Sequence, residues 1–410
     1  MKNSLDRRIG FVLFAAAYLW VFFQFRAGIT ASWFGPNTES GSIAGRLLTT
    51  GQFSDPFNYP TGPTAHLAPV YPVIVALFFL TPFAALFLAL FNATVLGTGA
   101  VLLAAISRRI FGNVFAAVAA ATLFILGSRV ALHFEAFLAA TLMLAAAYAS
   151  LRERKAAASI WCGLSFLTNP ASLLSLPLIA AIRGRRFAAI VSGSALLMCV
   201  PWIARNWIVL GAPYFVRDNL GFELYLSNAD SSTAEMEVNP VFISQHPGLN
   251  RSEAAKVAFY GESRYYRMRF QNAIGWITAH PKKFLSLTAQ RIWYYWFPSL
   301  REGWQAYPYW AITVLGFTGA WLSRRNKIVS LWFLAGIAYS LLYVFIQASA
   351  RYRYPSLWIQ SLPAGYALAV ALNQLSILFG SKRGGHREVA APDGWCPVLG
   401  RMESAQSDRS

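Results

Sequence analysis

Few side chains in this sequence can do ionic chemistry, and they sit in telling places. Of 410 residues only 17 are acidic. Glu39 stands in "NTESGSIAGRLLTT", directly behind the first long apolar run, and Glu135 stands in "LHFEAF" between two further runs. His66 and His133 precede the second and fourth apolar stretches, Arg205 lies in "VPWIARNW", and Arg351 and Arg353 share "ASARYRYP". A carboxylate at a membrane–water boundary can take a proton from an incoming hydroxyl or amine, or hold a cation. Arginine presents a rigid fork that grips phosphate oxygens as lysine cannot. The two together suit transfer from a phosphate-bearing donor: the guanidinium neutralises the departing phosphate while the carboxylate activates the acceptor.

Each residue also has a plain structural use. Glu39 and Glu135 could simply face helix N-termini, which favour acids. Arg351 and Arg353 could anchor head groups by snorkelling, Arg205 could cap the end of the span at 187–209, and Trp202, Trp207, Trp293 and Trp296 read as interfacial belt residues. No H-x-x-x-H or H-E-x-x-H accompanies His66 or His133, so the spacing gives no metal set, although the acids could hold a divalent cation. Cys162, Cys199 and Cys396 are far apart and read as inert thiols.

The elements that must position these groups are membrane helices. Hydrophobic residues make up 56% of the chain and charged residues 13%, with a mean hydropathy of +0.43. A soluble chain carries about a quarter charged residues. Repeated apolar runs long enough to cross about 30 Å of hydrocarbon make this an all-α polytopic membrane protein. The net charge of +18 comes from short basic clusters between runs, the pattern of topology signals and not of a nucleic-acid stripe. Anionic head groups and phosphate-bearing substrates are therefore the expected partners.

Placing the basic clusters inside gives about ten transmembrane helices, with both ends of the chain inside. Segment 29–66 is then an outer loop, and 67–83, broken by Pro69, Pro72 and Pro82, is expected to dip into the membrane from outside. Residues 157–168 and 171–182 read as two short spans meeting at "TNP". Residues 210–306 form a long outer stretch holding eight of the acids, including amphipathic segments such as "RFQNAIGWITAHPKKFLSLTAQRIWYYWF" that suit helices lying on the membrane surface. The membrane domain runs over 1–376, and 377–410 is a basic cytoplasmic tail with the composition of a disordered segment. Glu39, Glu135, His66, His133, Arg205, Arg351 and Arg353 all fall on the outer side of this arrangement. No Gly-rich phosphate loop is present, which fits a donor whose energy arrives in a lipid-linked form.

The segments "TESGSIAGRLLTTGQFSDPF…GPTAHLAPVYPVIVALFF", "SRRIFG", "LSFLTNPASLL", "VPWIARNW", "ITAHPKKF" and "ARYRYPSLWIQ" occur in an order that resembles the polyprenyl-phosphate-dependent integral membrane glycosyltransferases of the GT-C superfamily. That group includes protein O-mannosyltransferases and lipid A aminoarabinose transferase-like proteins. The resemblance covers nearly the whole chain to about residue 376. It implies a GT-C-like fold in a bacterial inner membrane, with the active site on the periplasmic side. It also implies transfer of a sugar from a polyprenyl-phosphate carrier to a lipid, glycan or protein acceptor. The first-loop acid would fall on Glu39, where many relatives carry Asp followed by a second acid; Ser40 and Gly41 follow here. The second outer acid would fall on Glu135, and the lipid-phosphate arginines on Arg351 or Arg353, with Arg205 a weaker match. A polymerase or ligase of lipid-linked glycans could use the same arginines. A lipid-linked-sugar flippase would instead concentrate ionisable groups near the bilayer midplane.

Overall fold

The computed structural model describes residues 4–26, 38–128 and 135–381. His133, Cys396, the start of the first outer loop and tail residues 382–410 lie outside the described residues. The described residues are helical, with two isolated bridges, Ser54–Pro63 and Glu235–Ala348. In chain order the α-helices are α1 (Ser4–Arg26), α2 (Glu39–Thr50), α3 (Val70–Phe79), α4 (Ala84–Phe111), α5 (Val114–Leu126) and α6 (Ala136–Leu151). There follow α7 (Lys155–Phe166), α8 (Leu176–Ala180), α9 (Arg185–Leu210), α10 (Leu220–Ser227), α11 (Pro240–Gln245) and α12 (Arg251–Tyr260). The last are α13 (Glu262–Ala279), α14 (Pro281–Trp296), α15 (Ala306–Leu322), α16 (Lys327–Ser340) and α17 (Ala350–Ser381). Residues Met1–Ala369 form one compact unit, and of the second, Val370–Ser410, only the helical residues 370–381 are described.

Among the described residues, four stretches are long and apolar enough to cross a membrane: Leu5–Phe25, Ala84–Phe111, Arg185–Leu210 and Lys327–Val344. This is fewer than the ten spans expected. Part of the difference is breakage inside expected spans. The stretch 157–182 gives α7, which stops at Leu167, then a 3-10 turn over Pro170–Leu174 capped by the Asn169 side chain, then the five-residue α8. Pro170 cannot extend α7, because it lacks an N–H and disfavours the helical conformation of the residue before it. Helix α3 has ten residues, about 15 Å, which is half the hydrocarbon thickness.

Local sequence sets the ends. Helix α4 closes with Arg108 and Arg109 in its last turn, and Gly112 follows in the left-handed conformation at φ 68°, which a side chain would resist. Asn113 then caps α5 by accepting from the Ala116 N–H. The core gathers α1, α4–α9 and α14–α17 around Phe124, Met143, Trp332, Tyr354 and Trp358. Close helix approach depends on small residues, as expected where lipid supplies no hydrophobic drive. A β-carbon on Gly319 of α15 would meet the Pro363 carbonyl oxygen of α17 at 1.9 Å, a distance no repacking of a flexible side chain could relieve.

The long polar stretch expected outside folds into α10–α14. Its own small core contains Phe222, Leu226, Val241, Val257, Tyr265 and Tyr266. The amphipathic run divides at His280–Pro281 into α13 and α14. Cys162 and Cys199 are free, buried thiols.

Candidate functional site

Thr38 and Glu39 open α2. The Thr38 hydroxyl accepts from the Gly41 N–H at 3.0 Å, which fixes the first turn and sets Glu39 at its positive end. The pattern "SGSIAGRLL" then buries Gly41, Ile43 and Ala44 while Glu39 faces a cavity of about 1060 Å³. The scarce charge thus stands where a helix start and a cavity coincide.

The loop after α2 returns to place His66. Asp55, in the left-handed region at φ 56°, accepts from Arg46 Nε at 2.5 Å and from the Gly62 N–H at 2.6 Å. Arg205 does not enter the cavity as its expected phosphate-binding role required. Its guanidinium donates to the carbonyls of Thr64 at 2.7 Å and Phe53 at 2.8 Å and lies over Trp202, so it clamps this loop. Glu262, first residue of α13, accepts from the Thr64 hydroxyl at 2.5 Å and the Ala65 N–H at 2.6 Å. Arg217 Nε donates to the His66 carbonyl at 2.7 Å. His66 itself is 1% exposed, with Nδ1 2.7 Å from the Tyr266 hydroxyl.

Its other nitrogen faces the acid. His66 Nε2 is 3.4 Å, and His246 Nε2 3.6 Å, from Glu39 Oε1. Burial works to raise the Glu39 carboxyl, but the two imidazoles and the Arg351 guanidinium outweigh it and hold it well below the usual carboxylate range. Burial, ahead of the opposing Glu39 charge, pushes the His246 imidazole down to about 4, so it is neutral near pH 7. Potential ligand atoms of Glu39, His66 and His246 all lie within 4.8 Å of one another. One carboxylate and two imidazoles form a donor set suited to a borderline cation such as zinc. In the present arrangement the Gly248 N–H donates to His246 Nδ1 at 3.1 Å, which puts the neutral ring's proton on Nε2, facing Glu39. Loading the triad through Nε2 means moving that proton to Nδ1 and giving up the Gly248 bond.

Further charged groups line the same cavity. Arg351, Glu135 and His66 are there as expected from the sequence, and Arg217 and Glu223 join them. Arg217 Nη1 is 3.8 Å from Glu135 Oε1. Glu223, on α10, receives Asn219 Nδ2 on one oxygen at 3.3 Å, while its Oε2 is buried with no hydrogen-bond partner. Burial raises the Glu223 carboxyl, and the Glu39 charge adds to that; His66, Arg217 and Arg351 pull the other way without cancelling it. One cavity therefore holds two carboxyls driven in opposite directions. The lining is mixed: Asn58, Asn250 and Arg251 are polar, and Leu174, Phe215, Leu342 and Ile346 are apolar.

Arg353 goes elsewhere. It is fully buried, donates to Gln360 Oε1 and the Trp296 carbonyl at 2.8 Å each, and lies over the Trp296 and Tyr309 rings. The reason is helical phase: two residues of α17 point about 200° apart, so Arg351 and Arg353 cannot face one site. The sequence-based reading also missed His246, Glu223 and Arg217, all from the long outer stretch.

Behind His66, Asp218 and Glu262 form a buried carboxyl pair. Neither Asp218 oxygen has a hydrogen-bond partner, and the Glu262 carboxyl lies beside them, so a proton shared between the two relieves both. Burial first, and for Asp218 also the Glu262 charge, raises both. A raised folded-state value means the folded protein binds more protons than the unfolded chain. That stability is therefore complete below the unfolded carboxyl value of about 4 and is lost as pH rises toward the folded one. Thermal unfolding in detergent is expected to move to lower temperature from pH 5 to 8, and Asp218→Asn to flatten that slope. An unchanged slope would show that the pair is not protonated.

No family model and no curated protein matches this chain. Among solved structures, it is similar to the crystal structure of the Archaeoglobus fulgidus oligosaccharyltransferase in the apo form, at 16% identity and a TM-score of 0.47. The match covers 93% of this chain and 53% of that one, so this chain spans about half that protein's length.

Proposed function

We propose that this protein is a GT-C-like membrane glycosyltransferase that moves a sugar from a polyprenyl-phosphate carrier to a lipid, glycan or protein acceptor on the outer side of a bacterial inner membrane. The observation that supports this reading is the meeting of two arginines, Arg217 and Arg351, with two oppositely tuned carboxyls in a cavity lined by both apolar and polar residues. The apolar lining residues accommodate the carrier chain, Arg351 and Arg217 grip the phosphate, and the polar lining residues receive the acceptor.

Glu39 was expected from the sequence to take the acceptor's proton. A carboxyl held so acidic is a weak proton acceptor near neutral pH, and in this proposal it supplies fixed negative charge instead. Glycosyl transfer develops positive charge on the sugar ring, which such a charge stabilises. Glu223 takes the proton, and Glu135 holds Arg217 in place. Glu39, His66 and His246 are also the residues that would hold a divalent cation, which would supply charge to the leaving phosphate.

The test supplies a sugar-labelled polyprenyl-phosphate donor to proteoliposomes of the full chain, with an extract of the producing membranes as acceptor. Label is expected to leave the carrier for the acceptor. Donor that crosses the bilayer chemically unchanged would replace the transferase reading with a transporter.

A further inference from the structure

A second cavity, of about 590 Å³, lies at the other end of the bundle from the candidate site. Its lining comes from the first turns of α1, the last turns of α4 and the C-terminal end of α6. Glu135 stands at the N-terminal end of α6 and Arg152 at its C-terminal end, so the two cavities are separated by about 25 Å of helix. Arg108, Arg109 and Arg152 line it together with Tyr148 and Asp6, and the rest of its lining is small or apolar, with Ile9, Val101 and Ala105 beside the more deeply buried Gly10 and Ala104.

The charges do not cancel. Asp6 is 3.6 Å from Arg108. Glu153, the acid next to Arg152 in sequence, pairs instead with Arg183 at 2.9 Å. Arg152 donates to the Tyr148 hydroxyl at 3.2 Å and lies over its ring, which steadies it beside the cavity. Three guanidinia against one carboxylate leave an excess of two positive charges in the lining. Arginines serving only as topology signals would snorkel separately into water. Here the ends of two helices gather them beside apolar residues. The carbonyl ends of α4 and α6 work against an anion through their helix dipoles, so any anion held here is held by the guanidinia.

We propose that this cavity binds the phosphate headgroup of an anionic membrane lipid, with the upper part of an acyl chain against the apolar lining residues. A phosphate diester offers the oxygens that forked guanidinia recognise, and basic pockets between membrane helices are suited to such headgroups. The apolar lining residues favour a lipid over free phosphate, which would use the arginines alone. This site is independent of the transfer chemistry.

The test is native mass spectrometry of the full chain released from nanodiscs holding equal parts phosphatidylglycerol and phosphatidylcholine. The wild type is expected to retain phosphatidylglycerol selectively. Arg109→Gln/Arg152→Gln is expected to reduce that retention at least about tenfold, the discrimination of a lost bidentate pair. Arg109→Lys/Arg152→Lys keeps the charge, and with it the topology signal, but loses the fork; it is expected to fall between them and carries the test if the Gln variant does not fold. Equal retention in the wild type and the variants, or equal retention of the two lipids, would overturn the proposal. So would displacement of the bound lipid by millimolar inorganic phosphate, which would assign the arginines to a soluble anion.

Discussion

Glu39→Gln is expected to lower donor turnover by about 10²–10³-fold while leaving the fold intact, the loss typical of one preorganised electrostatic group. The substitution keeps the shape and the position at the start of α2 but removes the charge that His66 and His246 face at 3.4 and 3.6 Å. Donor binding should change little, because in the proposed reaction Arg351 and Arg217, and not Glu39, would hold the phosphate, so the deficit belongs in kcat. Glu39→Asp keeps the charge but withdraws it by one methylene and is expected to recover part of the rate. A divalent cation in the triad would add a separate readout: metal content after dialysis should fall in Glu39→Gln and in His66→Ala alike. Full turnover by a folded Glu39→Gln protein would remove this carboxylate from the chemistry.

What the sequence disclosed, and what it hid, follows from how far apart the partners lie along the chain. Glu39, His66, Glu135 and Arg351 were legible as candidates because each is a scarce ionisable group at the end of an apolar run that the basic clusters assign to one side, and the cavity lining includes all four. Arg353 was misplaced because adjacency in sequence was allowed to outweigh helical phase. Arg205 was misplaced because its partners are backbone carbonyls of Phe53 and Thr64, 152 and 141 residues away, which no spacing reveals. Glu223 and His246 were overlooked inside a stretch read as a surface loop. A signal existed for Glu223: "GFELYL" sets one acid among apolar residues in a short helix, where burial of the acid calls for a reason. For His246 no local pattern points inward; the fold of α10–α13 brings it to Glu39.

That hidden acid carries the second large expectation. Glu223→Gln should cut kcat by about 10²–10⁴-fold with donor affinity unchanged, the range for loss of a positioned proton acceptor. Its Oε2 is buried without a partner, and burial raises its affinity for a proton. A base works only when deprotonated, so the wild-type rate should climb with pH through the raised Glu223 value, above the ordinary carboxyl range, and then level off. Glutamine cannot titrate, so the residual rate of Glu223→Gln should lose this acidic limb altogether, which a merely structural role for Glu223 would not produce. Glu223→Asp should restore the limb with part of the rate. Glu39 cannot produce the limb, because its depressed value places its titration far below any pH at which the protein is assayed. An acidic limb that persists unshifted in Glu223→Gln would assign the proton to another group lining the cavity.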